Sequence, residues 1–151
     1  RAVRGATQLD GDDREHMLER VAEMVTDVMA SNGLVVDDFI SVIFTSTSDL
    51  VSEFPAYAAR RLGFSDVPLI CARELEIAGS MPRVVRMMAH VETDLPRSDI
   101  THSYLHGAAA LREEPRGHFW MNSMMAAQMT NSGMLLTATA NHLSISKMRW
   151  A

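Results

Sequence analysis

Residues 83–93 alternate with a period of two. Val85, Met87, Ala89 and Val91 fall on one face, and Arg86, Met88, His90 and Glu92 fall on the other. Side chains of an extended strand point alternately to opposite faces, so this segment reads as a strand with one apolar side. That side needs a cover, and the chain supplies one. Met17, Leu18, Val21, Met24, Val25, Val28 and Met29 recur at helical spacing, with Arg14, Glu19, Arg20, Glu23 and Asp27 on the opposite face. Asp12 reads as the N-cap, with Glu15 completing a capping-box pattern, and Gly33 after Asn32 reads as the stop. One long amphipathic helix therefore backs a sheet.

Other strands are expected at 2–7, 39–45, 67–71 and 101–105. Segment 39–45 is apolar at both parities, which predicts burial on both faces, and 67–71 reads as buried too. Phe54-Pro55 opens a short helix running to about Leu62 and stopped by Gly63, and 108–111 forms a last helical turn. Ser46-Thr47-Ser48-Asp49 reads as a loop. The expected fold class is α/β (α+β): a mixed β-sheet backed by one long helix. The chain has 151 residues, room for one domain with a real core. Composition shifts after Arg112: beyond Arg116 there is no Asp, Glu, Arg or Lys until Lys147, and periodicity is weak. The expected division is a domain at 1–113 and a C-terminal tail at 114–151, with a short helix around 121–129.

A net charge of −5 argues against nucleic acid and anionic membranes as partners. Cys71 is the only cysteine, so no intrachain disulfide forms, which fits a reducing cytoplasm. No basic-then-apolar leader and no membrane-spanning run is visible, and the expected location is cytoplasmic.

Signals for metal, nucleotide or nucleophilic chemistry are absent. The chain has no Gly-rich phosphate loop, no zinc-type cysteine pattern and no G-x-S-x-G elbow. His102 and His106 are four apart, but in a strand that spacing separates side chains by roughly 13 Å, too far for a shared metal. What remains is a set of polar residues in buried-looking strands: Arg4, Arg86, Glu74, Tyr104 and, just beyond, Arg112. An unpaired buried charge is costly, so each arginine needs an internal acid or an anionic ligand. Lys147 is the only lysine among 14 Lys and Arg residues. Arginine suits bidentate capture of carboxylates, and the set as a whole fits a small polycarboxylate.

These residues sit in segments that resemble the AroH-type (Bacillus-type, monofunctional) chorismate mutases. The segments are Arg4-Gly5-Ala6-Thr7, Phe54-Pro55-Ala56, Val67-Pro68 with Cys71 and Glu74, Pro82-Arg83-Val84-Val85-Arg86, and His102-Ser103-Tyr104-Leu105. They run in the family's order from residue 1 to about 112. The resemblance implies a homotrimer whose sheets line a central pseudo-α/β-barrel, with active sites between subunits. It implies a cofactor-free Claisen rearrangement of chorismate to prephenate, a step of phenylalanine and tyrosine biosynthesis. It implies that Arg4 and Tyr104 hold a substrate carboxylate, and that Arg86 is the catalytic cation beside the ether oxygen. Glu74 and Cys71 match groups contacting the ring hydroxyl. Phe54, Ala56 and Leu111 match apolar walls, with Leu69 and Ile70 lining the same region. Arg60 and Arg112 match auxiliary arginines at the cleft mouth, and Arg60 with segment 54–57 would come from the neighbouring subunit. Tyr57 stands where some relatives carry lysine, and the 114–151 tail has no counterpart in them. Two rivals share this architecture: a trimeric imine/enamine deaminase, which would need an ordered water, and a non-catalytic ligand-binding or interaction protein.

Overall fold

A computed structural model describes residues 1–112. The expected 114–151 tail, with its helix around 121–129, lies outside the described residues. The chain runs β1 (Ala2–Gln8), α1 (Arg14–Asn32), β2 (Phe39–Ser46), α2 (Pro55–Arg61), β3 (Leu69–Arg73), β4 (Val84–Val91) and β5 (Ser103–Leu105). Short 3₁₀ turns at Val36–Asp38 and Arg97–Asp99 were not expected, and His106–Arg112 is 3₁₀ rather than a single helical turn.

The helix stripe packs as its spacing predicts. Met17, Leu18, Val21, Met24, Val25 and Val28 are buried against Val3, Val42, Phe44, Val85, Met87 and Ala89 of the sheet. Each such side chain contributes about 1.5–3 kcal/mol of burial. The N-cap is Asp13, one residue later than expected, and its carboxylate accepts the His16 N–H at 3.0 Å. Asp12 is used elsewhere: it accepts the Val51 and Ser52 N–H groups at 3.2 and 3.0 Å, pinning the loop that leads into α2. Gly33 ends α1 with φ 63°, a left-handed conformation that favours glycine.

The five strands are ordered β3-β2-β4-β1-β5. β4 pairs antiparallel with both β1 and β2, whereas β1–β5 and β2–β3 are parallel. The sheet is thus mixed, as expected. β4 is buried at Val85, Met87, Ala89 and Val91 and open at Met88 and His90. The expectation for β2 needs correction: Phe39, Val42 and Phe44 are buried, but Ile40 and Ile43 are exposed. Both helices pack on one face of the sheet, so the other face is left open by the described residues of a single chain, apolar or not. β3 starts two residues later than expected and is an edge strand, with Ile70 58% exposed. β5 likewise starts at Ser103 rather than Thr101, because Thr101 gives its backbone N–H and carbonyl to the side chain of Asn32.

The segment after β5 is held against α1. The ring Nε2 of His106 lies 2.8 Å from Glu23 Oε2 and 2.9 Å from Arg20 Nη1. The hydrogen bond from His106 lowers the Glu23 carboxyl below its ordinary range. Gly107 follows, and a Cβ there would fall 1.7 Å from Gln8 Oε1, so any other residue would require the Gln8 side chain to swing aside. This clasp sets the direction in which Leu111 and Arg112 leave the sheet.

Candidate active site

The register assembles one row across the whole sheet: Ala72, Thr45, Arg86, Ala6 and Tyr104 are paired in turn. Paired residues share a face. Because Val85 and Met87 face the helices, this row faces away from them. A second row on the same side carries Ile70, Ile43, Met88 and Arg4. The strand alternation that buries the core therefore also lifts Arg86, Arg4 and Tyr104 onto the open face.

Glu74 reaches that face from just beyond β3. Its N–H continues the ladder by donating to the Ser46 carbonyl at 3.0 Å. One carboxylate oxygen accepts the Thr45 hydroxyl at 2.6 Å, and the other is paired with Arg86 Nη1. Glu74 is thus held by two partners and in turn aims the guanidinium. Among the described residues, Nε and Nη2 of Arg86 have no hydrogen-bond partner. The Arg4 guanidinium has no carboxylate partner among the described residues, and neither does that of Arg112. Arg4, Arg86, Tyr104 and Leu111 line one cavity of about 470 Å³ with Ile43, Thr45 and Met88. Arg112 borders an adjoining one of about 300 Å³ with Arg4, His102 and Tyr104.

The other residues singled out in the sequence lie elsewhere in this chain. Phe54, the residue before α2, is 70% exposed and borders a separate cavity with Cys71, Ala72 and Arg73. Ala56 packs against the core. Tyr57 is flanked by the guanidinium groups of Arg14 and Arg61, 5.6 and 5.2 Å from its ring centre. Arg60 binds the carbonyls of Phe64, Ser65 and Val67, closing the loop after α2. Leu69 and Cys71 pair with Val42 and Phe44, so their side chains point to the helix side, opposite Arg86. Ile70, between them, is on the open face. The backbone of Cys71 is placed differently from its thiol. Pro68 accepts from Val42, and Glu74 donates to Ser46. In a parallel ladder alternate residues bond inward, so the N–H and C=O of Cys71 point out from the free edge.

Three lining residues escaped the sequence reading. Thr45 was read as the last residue of the 39–45 strand, and its side chain, which anchors Glu74, was not singled out. Ile43 and Met88 share its face, and alternation through 39–46 was the signal for the first two. Among the described residues, no group of three or more His, Cys, Asp or Glu side chains is placed to hold a metal.

An α+β sheet thus carries helices on one face and, on the other, one arginine aimed by a carboxylate and one with no acid partner among the described residues. The chain belongs to the chorismate mutase type I family, whose sequence pattern it matches over residues 1–115. It is 40% identical over 115 residues to the chorismate mutase AroH of Thermus thermophilus, covering 76% of this chain and 94% of that protein. It is 32% identical over 115 residues to the chorismate mutase AroH of Bacillus subtilis (strain 168), covering 76% and 91%. A chorismate mutase structure from Clostridium thermocellum superposes with a TM-score of 0.72 at 39% identity, covering 73% of this chain and 98% of that one.

Proposed function

We propose that this protein rearranges chorismate to prephenate, with Arg86 as its catalytic cation. One observation carries the reading: Arg86 stands on the sheet face opposite the helices, with a carboxylate fixing one end of its guanidinium and the rest unpartnered among the described residues. In the reaction one C–O bond breaks as one C–C bond forms within the same molecule. It requires no nucleophile, proton transfer or redox step in the bond-changing event. Two tasks remain. The flexible dianion must be held in its compact, chair-like conformer, which is orientation. The ether oxygen gains negative charge in the transition state, which a preorganised donor in a water-poor site stabilises.

Arg86 serves the second task. Arg4 and Tyr104, on neighbouring strands of the same face, serve the first by holding a carboxylate. Glu74 accepts a hydrogen bond from the ring hydroxyl while it aims Arg86. Leu111 and Ile70 give apolar walls, and Arg112 adds positive charge at the mouth. Cys71 contributes through its outward-pointing backbone rather than its thiol. Cys71→Ala is therefore expected to keep kcat/KM within about threefold, whereas loss of one placed donor costs on the order of 10² or more; steady-state kinetics of that variant checks this.

The active form is a homotrimer. Phe54, Ala56, Tyr57 and Arg60 lie away from the Arg86 cavity in one chain, so they complete the site of a neighbour. Ile43, Ile70 and Met88 leave apolar surface on the open face, which a second subunit would cover. Arg60 keeps its loop carbonyls in this arrangement and acts on the neighbour's cleft by shaping that loop. Among the described residues no helix is long and apolar enough to cross a membrane. A free Cys71 thiol fits a cytoplasmic location.

The test is direct. Purified protein is incubated with chorismate in the presence of a chelator, and both compounds are followed by proton NMR. Prephenate should appear as chorismate disappears. Ammonia release from an imine substrate, with chorismate untouched, would instead support the deaminase reading, and no turnover of either would support a binding protein.

A further inference from the structure

Arg4 is placed by more than its own strand. The β1–β5 ladder begins at Gly5–Ser103, one residue past Arg4. Nearby on the β5 side, the backbone of Thr101 is already committed. Its N–H donates to Asn32 Oδ1 at 2.8 Å, and its carbonyl accepts from Asn32 Nδ2 at 2.9 Å. Asn32 is buried and also bonds the Val28 carbonyl at 2.8 Å, so it is not free to turn away. The Arg4 N–H donates instead to Nδ1 of the His102 ring, at 3.2 Å. A ring nitrogen that accepts carries no proton, so this imidazole is neutral with its hydrogen on Nε2.

We propose that His102 is a positioning residue for substrate binding: its neutral ring fixes Arg4 at the cavity, and protonation of the ring releases that hold. The proposal rests on the reading of Arg4 as a carboxylate-holding group. Among the described residues, the charged and titratable groups around the ring are Arg1, Arg4, Arg97, Asp99, Tyr104 and Arg112. Among these described groups cations outnumber the one acid, and a protonated ring would add another positive charge. Burial holds the ring below its ordinary titration range, and the charges of Arg4 and Arg112 lower it further. At neutral pH the ring therefore accepts. Below its titration range Nδ1–H would face the Arg4 N–H, two donors with nothing between them.

The sign of the effect separates positioning from simple attraction. An added positive charge alone would tighten an anion and lower KM on acidification. Loss of Arg4's placement raises it. Arg86 sits on β4, apart from this contact, so kcat should move little.

The experiment measures KM and kcat on the full chain from pH 8 to pH 5 for wild type, Arg4→Ala, His102→Asn and His102→Leu. Asparagine offers an acceptor oxygen where Nδ1 sits and does not titrate. Wild-type KM should rise by roughly tenfold on acidification, the upper end of what one ordinary hydrogen bond provides, with kcat within about twofold. His102→Asn should hold KM within about threefold of the wild-type value at pH 8 throughout. His102→Leu should show the raised KM at every pH. If that variant does not fold, the comparison of wild type with His102→Asn decides alone. A wild-type KM that falls on acidification, or an His102→Asn profile that tracks wild type, overturns the proposal. If Arg4→Ala leaves KM unchanged, the reading of Arg4 itself fails; if it raises KM while the His102 variants are silent, only the positioning role fails. Nitrogen-15 NMR of the labelled ring gives an independent readout: hydrogen on Nε2 is expected at pH 8, and hydrogen on Nδ1 overturns the assignment.

Discussion

Arg86→Gln is expected to lower turnover by roughly 10³ or more, while the fold and the trimer survive. Removal of a single oxyanion donor costs on the order of 10² to 10³ in rate, and here a full charge is removed as well. The charge on the ether oxygen exists in the transition state and not in the ground state, so the loss falls on kcat more than on KM. Stability should change little. In a single chain the Arg86 side chain is 39% exposed and its pairing with Glu74 is open to solvent, so screening leaves the pair worth at most about 1 kcal/mol to the fold of one subunit. The apolar residues that flank it in β4 carry the core instead. Arg86→Lys keeps the charge without the rigid fork and should retain more activity than the neutral variants. Steady-state kinetics with sedimentation on each variant reads both quantities. If Arg86→Gln folds, stays trimeric and keeps turnover within about tenfold, or roughly 1.4 kcal/mol of barrier, Arg86 is only an ion-pair partner.

Glu74→Ala should reduce kcat/KM by about 10², the loss expected when a reacting group is displaced by an ångström or so. The substitution removes the acceptor for the ring hydroxyl. It also frees the Arg86 guanidinium and leaves the Thr45 hydroxyl without its acceptor. KM and kcat should therefore both change. Glu74→Gln keeps the side-chain shape and an oxygen for Thr45 but loses the charge, and should fall between wild type and the alanine variant. No proton moves in the bond-changing step, so the solvent isotope effect on kcat should stay near unity in wild type and variants. A large normal effect on the chemical step would make Glu74 an acid or base and contradict the mechanism.

Those parts of the fold with a single strong period were legible in the sequence. β4 could be read because one face is uniformly apolar, and α1 because its stripe runs for several turns. Gly33 and Phe54-Pro55 marked ends that backbone geometry confirms. β2 was misread because periodicity distinguishes apolar from polar, not covered from uncovered. Ile43 faces the side that the described helices leave open, and a sequence cannot show which side they cover. Asp12 and Asp13 are chemically equivalent as caps; what separates them is the tertiary contact of Asp12 with Val51 and Ser52.

The site divides in the same way. Arg86 stood out because it interrupts an apolar strand, and Arg4, Glu74 and Tyr104 as polar residues in or beside buried-looking strands; their roles followed from the family resemblance. The register then places them on one face. The roles of Thr45 and of the Cys71 backbone depend on register and ladder parity, where a shift of one residue exchanges the faces. His102 was weighed as a metal ligand and set aside. Its use as an acceptor depends on Asn32 occupying the Thr101 backbone, a contact between residues far apart in the chain. Phe54, Tyr57 and Arg60 could not be placed relative to Arg86 because one chain does not bring them to the same cavity.

An active site completed between subunits underlies the roles given to both sets of residues. Sedimentation velocity on the full chain, run alongside chorismate turnover across a dilution series, tests it most directly. The active species should have three times the 16.7 kDa mass of the chain, and specific activity should fall in step with dissociation. A monomer that keeps full specific activity would contradict it.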